Sequence, residues 1–382
     1  TMLKNLFQDP DVLARHKDAP FIKERERYLE HIANEGYAQT TLIGYARELY
    51  WVAKKFKCYE PITRGINPEE IREVADKFSA KQLHSGRVQY NKWSRRFFIQ
   101  VTTGWFRFLE CLNEPVKTPT WYSSMIEDFA TFMECEQGFS PKTIHNKCWQ
   151  AEQFLSWYEP QRDKISSIKI ADVDNFFKTY GSERWSRSSI DCSASALRSF
   201  FRYAATRNWC DSQIAESIQG PSLFAQEGLP SGPSWEDVKR LIDSMNTERP
   251  YDIRDRVIIM FFSIYGLRSS EVSNLRLEDI NWEQNQIRIT RTKQRRSQIY
   301  PFISIVGNAL IHYLQSVRPR CSKREVFLKL TAPIKPLSSC ALYNAVSRRM
   351  VKLGIPTLNR GPHSLRHACA THLLSEGLSL KE

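Results

Sequence analysis

At 382 residues the chain is longer than one core ordinarily supports and suits two or three domains, which its 41% hydrophobic content can fill. Lys and Arg number 55 against 42 Asp and Glu, a formal charge of +13 that favours a polyanionic partner, nucleic acid first, although a merely solvated basic surface gives the same count. No window reaches the roughly 18 to 20 uninterrupted apolar residues of a membrane helix, the opening TMLKNLFQDP has no apolar signal region, and nine scattered cysteines without a CxxC pair argue against a disulfide framework and a zinc site, so a cytoplasmic location is expected.

The first half repeats itself. EGYAQTTLIGYARELYWVAKKF (35–56) matches QGFSPKTIHNKCWQAEQFLSWY (137–158), with Gly36 facing Gly138 and Thr41 facing Thr143. INPEEIREVADKF (66–78) then meets IKIADVDNFFKTY (168–180), and WFRFLECLN (105–113) meets FFRYAATRN (200–208) after a small length change. Each copy reads as a small helical bundle. Tyr45, Leu49 and Val52, and again Phe154, Leu155 and Tyr158, recur at helical spacing, and Asn67-Pro68 and Ser140-Pro141 are helix starts. The aromatics are assigned to packing rather than to stacking on bases. QGPSLFAQEGLPSGPS (219–234) concentrates Pro, Gly and Ser as an interdomain connection does, and Ser234 then caps a helix through WEDVKRLIDSM.

Next, a strongly apolar run in RVIIMFFSIYGLRSSEVSNLRLEDI (256–280) ends at Gly266, and a new helix starts at Ser269 or Ser270. Arg268 sits at the joint, beside new backbone N–H groups, where it can grip a phosphate oxygen. Glu271 lies within helical reach to orient it, though read alone the pair is more often an ordinary surface salt bridge. QIRIT (286–290) and SQIYPF (297–302) alternate as strands around the basic tip RTKQRR (291–296), a hairpin with Lys293 near its tip. That lysine can protonate an alkoxide, contact a DNA backbone, or be a solvated loop charge. Finally RGPHSLRHACATHLL (360–374) starts a helix at Gly361-Pro362, which puts His363 and Arg366 one turn apart on the same side. Histidine supplies a proton donor or acceptor and arginine a fixed bidentate cation, while His367 and His372 read as structural or surface residues.

The order GLRSSE, a hairpin lysine, then HSLRH closely resembles the catalytic domain of the tyrosine recombinase (phage integrase) family. The second helical repeat resembles that family's core-binding domain, so the resemblance covers Pro119 to Glu382, and the first repeat is similar to a further arm of the same type. The fold this implies is mainly α with a small β-hairpin or sheet. Two tandem helical, SAM-like domains (1–116 and 117–218) precede a connection (219–234) and an integrase-type catalytic domain (235–382). By the same resemblance Arg268 and Arg366 hold the scissile phosphate, Lys293 protonates the departing 5′ oxygen, His363 assists proton transfer and Glu271 supports the site.

In the family a second histidine or tryptophan and the nucleophilic tyrosine follow the HxxR helix, whereas this sequence runs out at LSEGLSLKE. Tyr300, Tyr313 and Tyr343 all precede HSLRH in the wrong context, so no nucleophile is assigned in this chain, and it is expected to be cut from a longer enzyme and inactive in cleavage by itself. Thr1 before Met2 reads as a tag remnant. The implied activity is site-specific recombination of double-stranded DNA through a 3′-phosphotyrosine, for a mobile element, with no metal or cofactor and with self-association on DNA. Tetramer formation by this chain is doubtful for want of the exchanged C-terminal helix. A noncatalytic DNA-binding accessory factor and a type IB topoisomerase are the competing readings.

Overall fold

The structure, a computed structural model, describes residues 1–56, 65–83, 92–114, 118–159, 164–222, 232–291 and 296–378. It contains three separate apolar nuclei.

The first gathers α1 (Met2–Leu6), α2 (Pro10–Lys17), α3 (Ile22–Asn34), α4 (Gln39–Lys55), α5 (Pro68–Leu83) and α6 (Lys92–Phe108). Tyr45, Leu49 and Val52 of α4 are buried against Phe98, Val101 and Trp105 of α6, as the helical spacing requires. The second gathers α7 (Ser123–Cys135), α8 (Pro141–Tyr158), α9 (Ile170–Phe176), a π-turn (Phe177–Gly181), α10 (Ser182–Arg184), α11 (Arg187–Thr206) and α12 (Gln213–Ser217). Phe154, Leu155 and Tyr158 are buried here in the same manner, with Phe154 edge-on to Phe176 at 5.3 Å and to Phe201 at 5.6 Å. The aromatic stripes are packing, and the proline starts open α5 and α8, the Ser140 side chain accepting from the Thr143 N–H at 3.3 Å.

The two bundles share backbone devices as well as sequence. Gly36 and Gly138 both turn the chain at positive φ, +87° and +61°, before α4 and α8. Likewise α6 and α11 are each followed by a left-handed residue, Glu110 (φ 57°) and Asn208 (φ 59°). That corrects the register of the third matched block, which set Asn113 against Asn208; Glu110 is its counterpart.

The third nucleus is built on α14 (Pro250–Ser263), a central helix buried on nearly every side. Around it lie α13 (Trp235–Asp243), α15 (Ser269–Ser273), α16 (Ser304–Ser316), α17 (Ser339–Lys352) and α18 (Pro362–Ser375). A three-stranded antiparallel sheet in the order β1 (Ile280–Asn281), β2 (Gln286–Arg291), β3 (Arg296–Pro301) completes it. Ile287 and Ile289 point into the core and Arg288 away from it, the alternation that fixes the register Ile287 opposite Tyr300 and Arg291 opposite Arg296. The molecule is thus mainly helical with one small sheet.

By packing, Thr1–Pro115 and Pro230–Glu382 form one compact unit and Val116–Leu229 a second. Inside the first unit the Ile334 N–H donates to the Glu35 carbonyl at 2.9 Å. The Ile334 side chain lies where a Cβ on Gly36 would come within 2.6 Å of it, so Gly36 is required both by its φ and by this approach. No described helix is long and apolar enough to cross a membrane.

Candidate active site

The site begins where α14 stops. After Ile264 the chain turns through Gly266 at φ +58°, a conformation that costs little only for glycine, and Arg268 follows in extended geometry as the residue that opens α15. Glu271 closes a loop back onto it: one carboxylate oxygen accepts the Arg268 backbone N–H at 2.8 Å and the other accepts from the Arg268 guanidinium at 3.0 Å. Glu271 is 4% exposed, so the pair is not the surface salt bridge that the two residues alone would allow. A carboxylate out of water holds its partner harder than a solvated one does, and it fixes one edge of the guanidinium. The Arg268 side chain keeps 29% of its surface, and among the described residues no other acceptor engages its guanidinium.

Helix α18 is laid across this turn. Gly361 and Pro362 start it, and Tyr343 packs so closely on Gly361 that a Cβ there would meet the ring at 2.7 Å. One turn on, Arg366 donates through Nη1 to the carbonyl of Gly266, and the Cys369 thiol reaches the Ile264 carbonyl at 3.5 Å. Burial pushes the Cys369 thiol above its ordinary range, which keeps it a protonated packing group. Arg366 therefore bonds to the same turn from which Arg268 emerges, so two segments far apart in sequence, each carrying an arginine, meet at one turn. His363 is exposed near the start of α18, its ring 6.0 Å from that of His367. His372 is structural, as expected, stacked on Trp235 at 4.0 Å.

Lys293 lies outside the described residues. The hairpin that bears it is formed as expected, and its base is tied to the arginine turn by contacts that sequence reasoning did not foresee. The Tyr265 hydroxyl, one residue before Gly266, accepts the Ile303 N–H at 3.0 Å, and its ring meets that of Tyr300 edge-on at 6.0 Å. Tyr300 in turn accepts from the Arg291 guanidinium at 2.6 Å and donates to Gln298 at 3.1 Å. Tyr313 is fully buried, donating to the Val326 carbonyl at 3.2 Å, and burial raises its phenol pKa. Both tyrosines are structural in these surroundings. Among the described residues no group of His, Cys, Asp and Glu is arranged to hold a metal ion.

Against known proteins, a model of the phage integrase family matches residues 234–382, and one of the phage integrase N-terminal SAM-like domain matches 126–208. A putative integrase/recombinase, y4rA, of Sinorhizobium fredii (strain NBRC 101917 / NGR234) is 31% identical over 301 residues, covering 78% of this chain and 73% of the relative. The chain belongs to the tyrosine recombinase (phage integrase) family. A second putative integrase/recombinase of the same organism, y4rF, is 24% identical across 100% of this recombinase chain and 88% of its own. Among solved structures, Lambda integrase bound to DNA shares the fold, with a TM-score of 0.52 and 14% identity over 68% of this chain and 88% of that one. The family's activity is site-specific recombination, and its members break and rejoin DNA. The arginine turn and the HxxR helix of this recombinase both fall inside the segment matched by the integrase model.

Proposed function

We propose that Arg268 and Arg366 grip one scissile phosphate of duplex DNA, that Glu271 positions Arg268, that His363 moves a proton at the reacting oxygens, and that Lys293 protonates the departing 5′ oxygen. The observation that carries this reading is the meeting of Arg366 with the Gly266 carbonyl, beside an Arg268 held on a buried carboxylate. Two fixed cations aimed at the nonbridging oxygens neutralise charge as it builds in a phosphorane-like transition state. A tyrosine nucleophile stores the phosphodiester energy as a 3′-phosphotyrosyl link, which splits the exchange into two reversible transfers. Tyr300 and Tyr313 are held in hydrogen bonds of the fold, and in this reading residues 1–382 by themselves bind DNA without forming that link.

In this reading residues 1–116 and 117–218 are tandem helical DNA-binding domains, 219–234 connects them to the catalytic domain 235–382, and the substrate is DNA at the ends of a mobile element. Structural relatives in complex with DNA support a DNA partner, and the charge of +13 supports phosphate contacts as the main source of grip, with fewer base contacts for site choice. Multimers assemble on the DNA.

Incubating the full-length gene product with supercoiled DNA bearing the element ends tests this. A protease-sensitive covalent adduct, abolished by Arg268→Ala, is expected. Binding without any adduct would favour a noncatalytic accessory factor, and relaxation of DNA lacking the site would favour a topoisomerase.

A further inference from the structure

Besides the flank that meets the Gly266 turn, α18 has a second flank formed by Ser364, Ala368 and His372, which recur at the four-residue spacing of one helix ridge. The residues leading into α13 lie along it. Gly232 is so close that a Cβ there would come within 2.7 Å of both the Ser364 carbonyl oxygen and the Ala368 nitrogen. Those are backbone atoms and cannot swing aside. Ser364 is buried and donates its hydroxyl to the Gly361 carbonyl at 2.8 Å, and the turn against which Gly232 rests, from Ser364 to Ala368, carries Arg366 and begins one residue after His363. Pro233 is buried next to it, Ser234 caps α13 by accepting the Asp237 N–H at 3.1 Å, and Trp235 stacks on His372 at 4.0 Å with the rings 17° apart.

We infer that residues 232–235 form a splint that fixes the rotation and axial position of α18, making Gly232, Trp235 and His372 positioning residues for His363 and Arg366. The inference rests on the site proposed above. None of the three touches the reacting atoms; each acts through the helix. The Pro/Gly/Ser-rich connection at 219–234 thus ends on the catalytic helix itself, held at Ser364–Ala368 and again at His372. Because Arg366 must reach a phosphate in one orientation, a shift of α18 by about 1 Å is enough to slow the chemistry on the order of a hundredfold.

Single-turnover cleavage of saturating site DNA by the full-length gene product, with the dissociation constant measured separately, tests the splint. Trp235→Ala and His372→Ala should slow cleavage of bound DNA about 10- to 100-fold while the dissociation constant stays within about threefold. His372→Phe, which keeps a ring on Trp235, should recover to within about threefold of wild type. Gly232→Ala should act in the same direction as the alanine variants, since the new methyl displaces helix backbone.

Hydrogen exchange of the 363–370 amides reads the splint without any need for cleavage. Exchange should be faster in His372→Ala and restored in His372→Phe. Wild-type exchange and cleavage in both alanine variants would overturn the inference, as would a fall of affinity and rate together in step with lost folded protein. A wild-type protein that forms no adduct would count against the proposed reaction alone, because the exchange experiment still decides the splint.

Discussion

Replacing Glu271 by glutamine isolates the device that holds Arg268. The amide preserves shape, but one oxygen becomes an NH2 group, so whichever way it turns a donor is opposed either to the Arg268 backbone N–H or to its guanidinium, the two bonds now made at 2.8 and 3.0 Å. A hydrogen bond to a charged group contributes about 1.5–3 kcal/mol, and a buried donor left without an acceptor costs about 1–3 kcal/mol. Because the Arg268 side chain retains 29% exposure and can recover water, the cost falls below the sum of those two contributions, to about 2 kcal/mol. In a domain of this size each kcal/mol lowers the melting temperature by about 2–4 °C, so Glu271→Gln should melt about 4–8 °C below wild type. Scanning calorimetry of this chain, with cleavage by the full-length gene product measured in parallel, checks both halves, since a loosened Arg268 should also slow strand cleavage. A melt within 1 °C of wild type at an unchanged cleavage rate would refute the argument that the buried carboxylate holds the arginine.

Three further outcomes follow from the same structure. Gly266→Ala places a side chain at φ +58° with a Cβ 3.5 Å from the Cys369 sulfur and should cost about 1–2 kcal/mol in urea unfolding, with a loss of cleavage as Arg366 shifts. Ser234→Ala removes the cap of α13 and should lower stability by about 0.5–2 kcal/mol with no other change in helix content by circular dichroism. His16 is buried against Phe7, and burial, then Arg25, lowers its pKa from 6.5 to about 4. Its folded-state pKa is depressed, so the neutral form is favoured and stability is lost as pH falls from about 6.5 towards 4, by roughly 3 kcal/mol. Glu48, raised to about 7 by burial, gains stability over much of the same descent and opposes this. The difference between wild type and His16→Phe in pH-dependent denaturation therefore isolates the histidine, and a difference that does not change between pH 7 and 4 would contradict the assignment.

The parts of this molecule legible in the sequence are those written locally. Ser140-Pro141, Ser234 and Gly361-Pro362 are each read within one helical turn, and each starts the helix expected of it. The hairpin was legible because Ile287 and Ile289 alternate with polar neighbours. The order of GLRSSE and HSLRH brought Arg268 and Arg366 to attention, but not how they are held. That depends on the Gly266 carbonyl, a hundred positions from Arg366, and on a buried rather than exposed Glu271. Spacing carries no information about burial, and a backbone acceptor has no side chain to mark it. Tyr265 was invisible for a related reason: its value lies in one contact with the Ile303 N–H, 38 residues on. The third repeat block misled because its matched aromatics are governed by core packing, whereas the true correspondence is set by the left-handed residues after α6 and α11.

The claim that Arg268 and Arg366 act on one phosphate is tested most directly by a double-mutant cycle of Arg268→Ala and Arg366→Ala in single-turnover cleavage by the full-length gene product. Each single substitution should lower the rate by about 10²–10³-fold, and the double variant should fall well short of the product of the two losses, because removing either cation already disables the shared grip. Fully multiplicative losses, or a near-wild-type rate in either single variant, would contradict it.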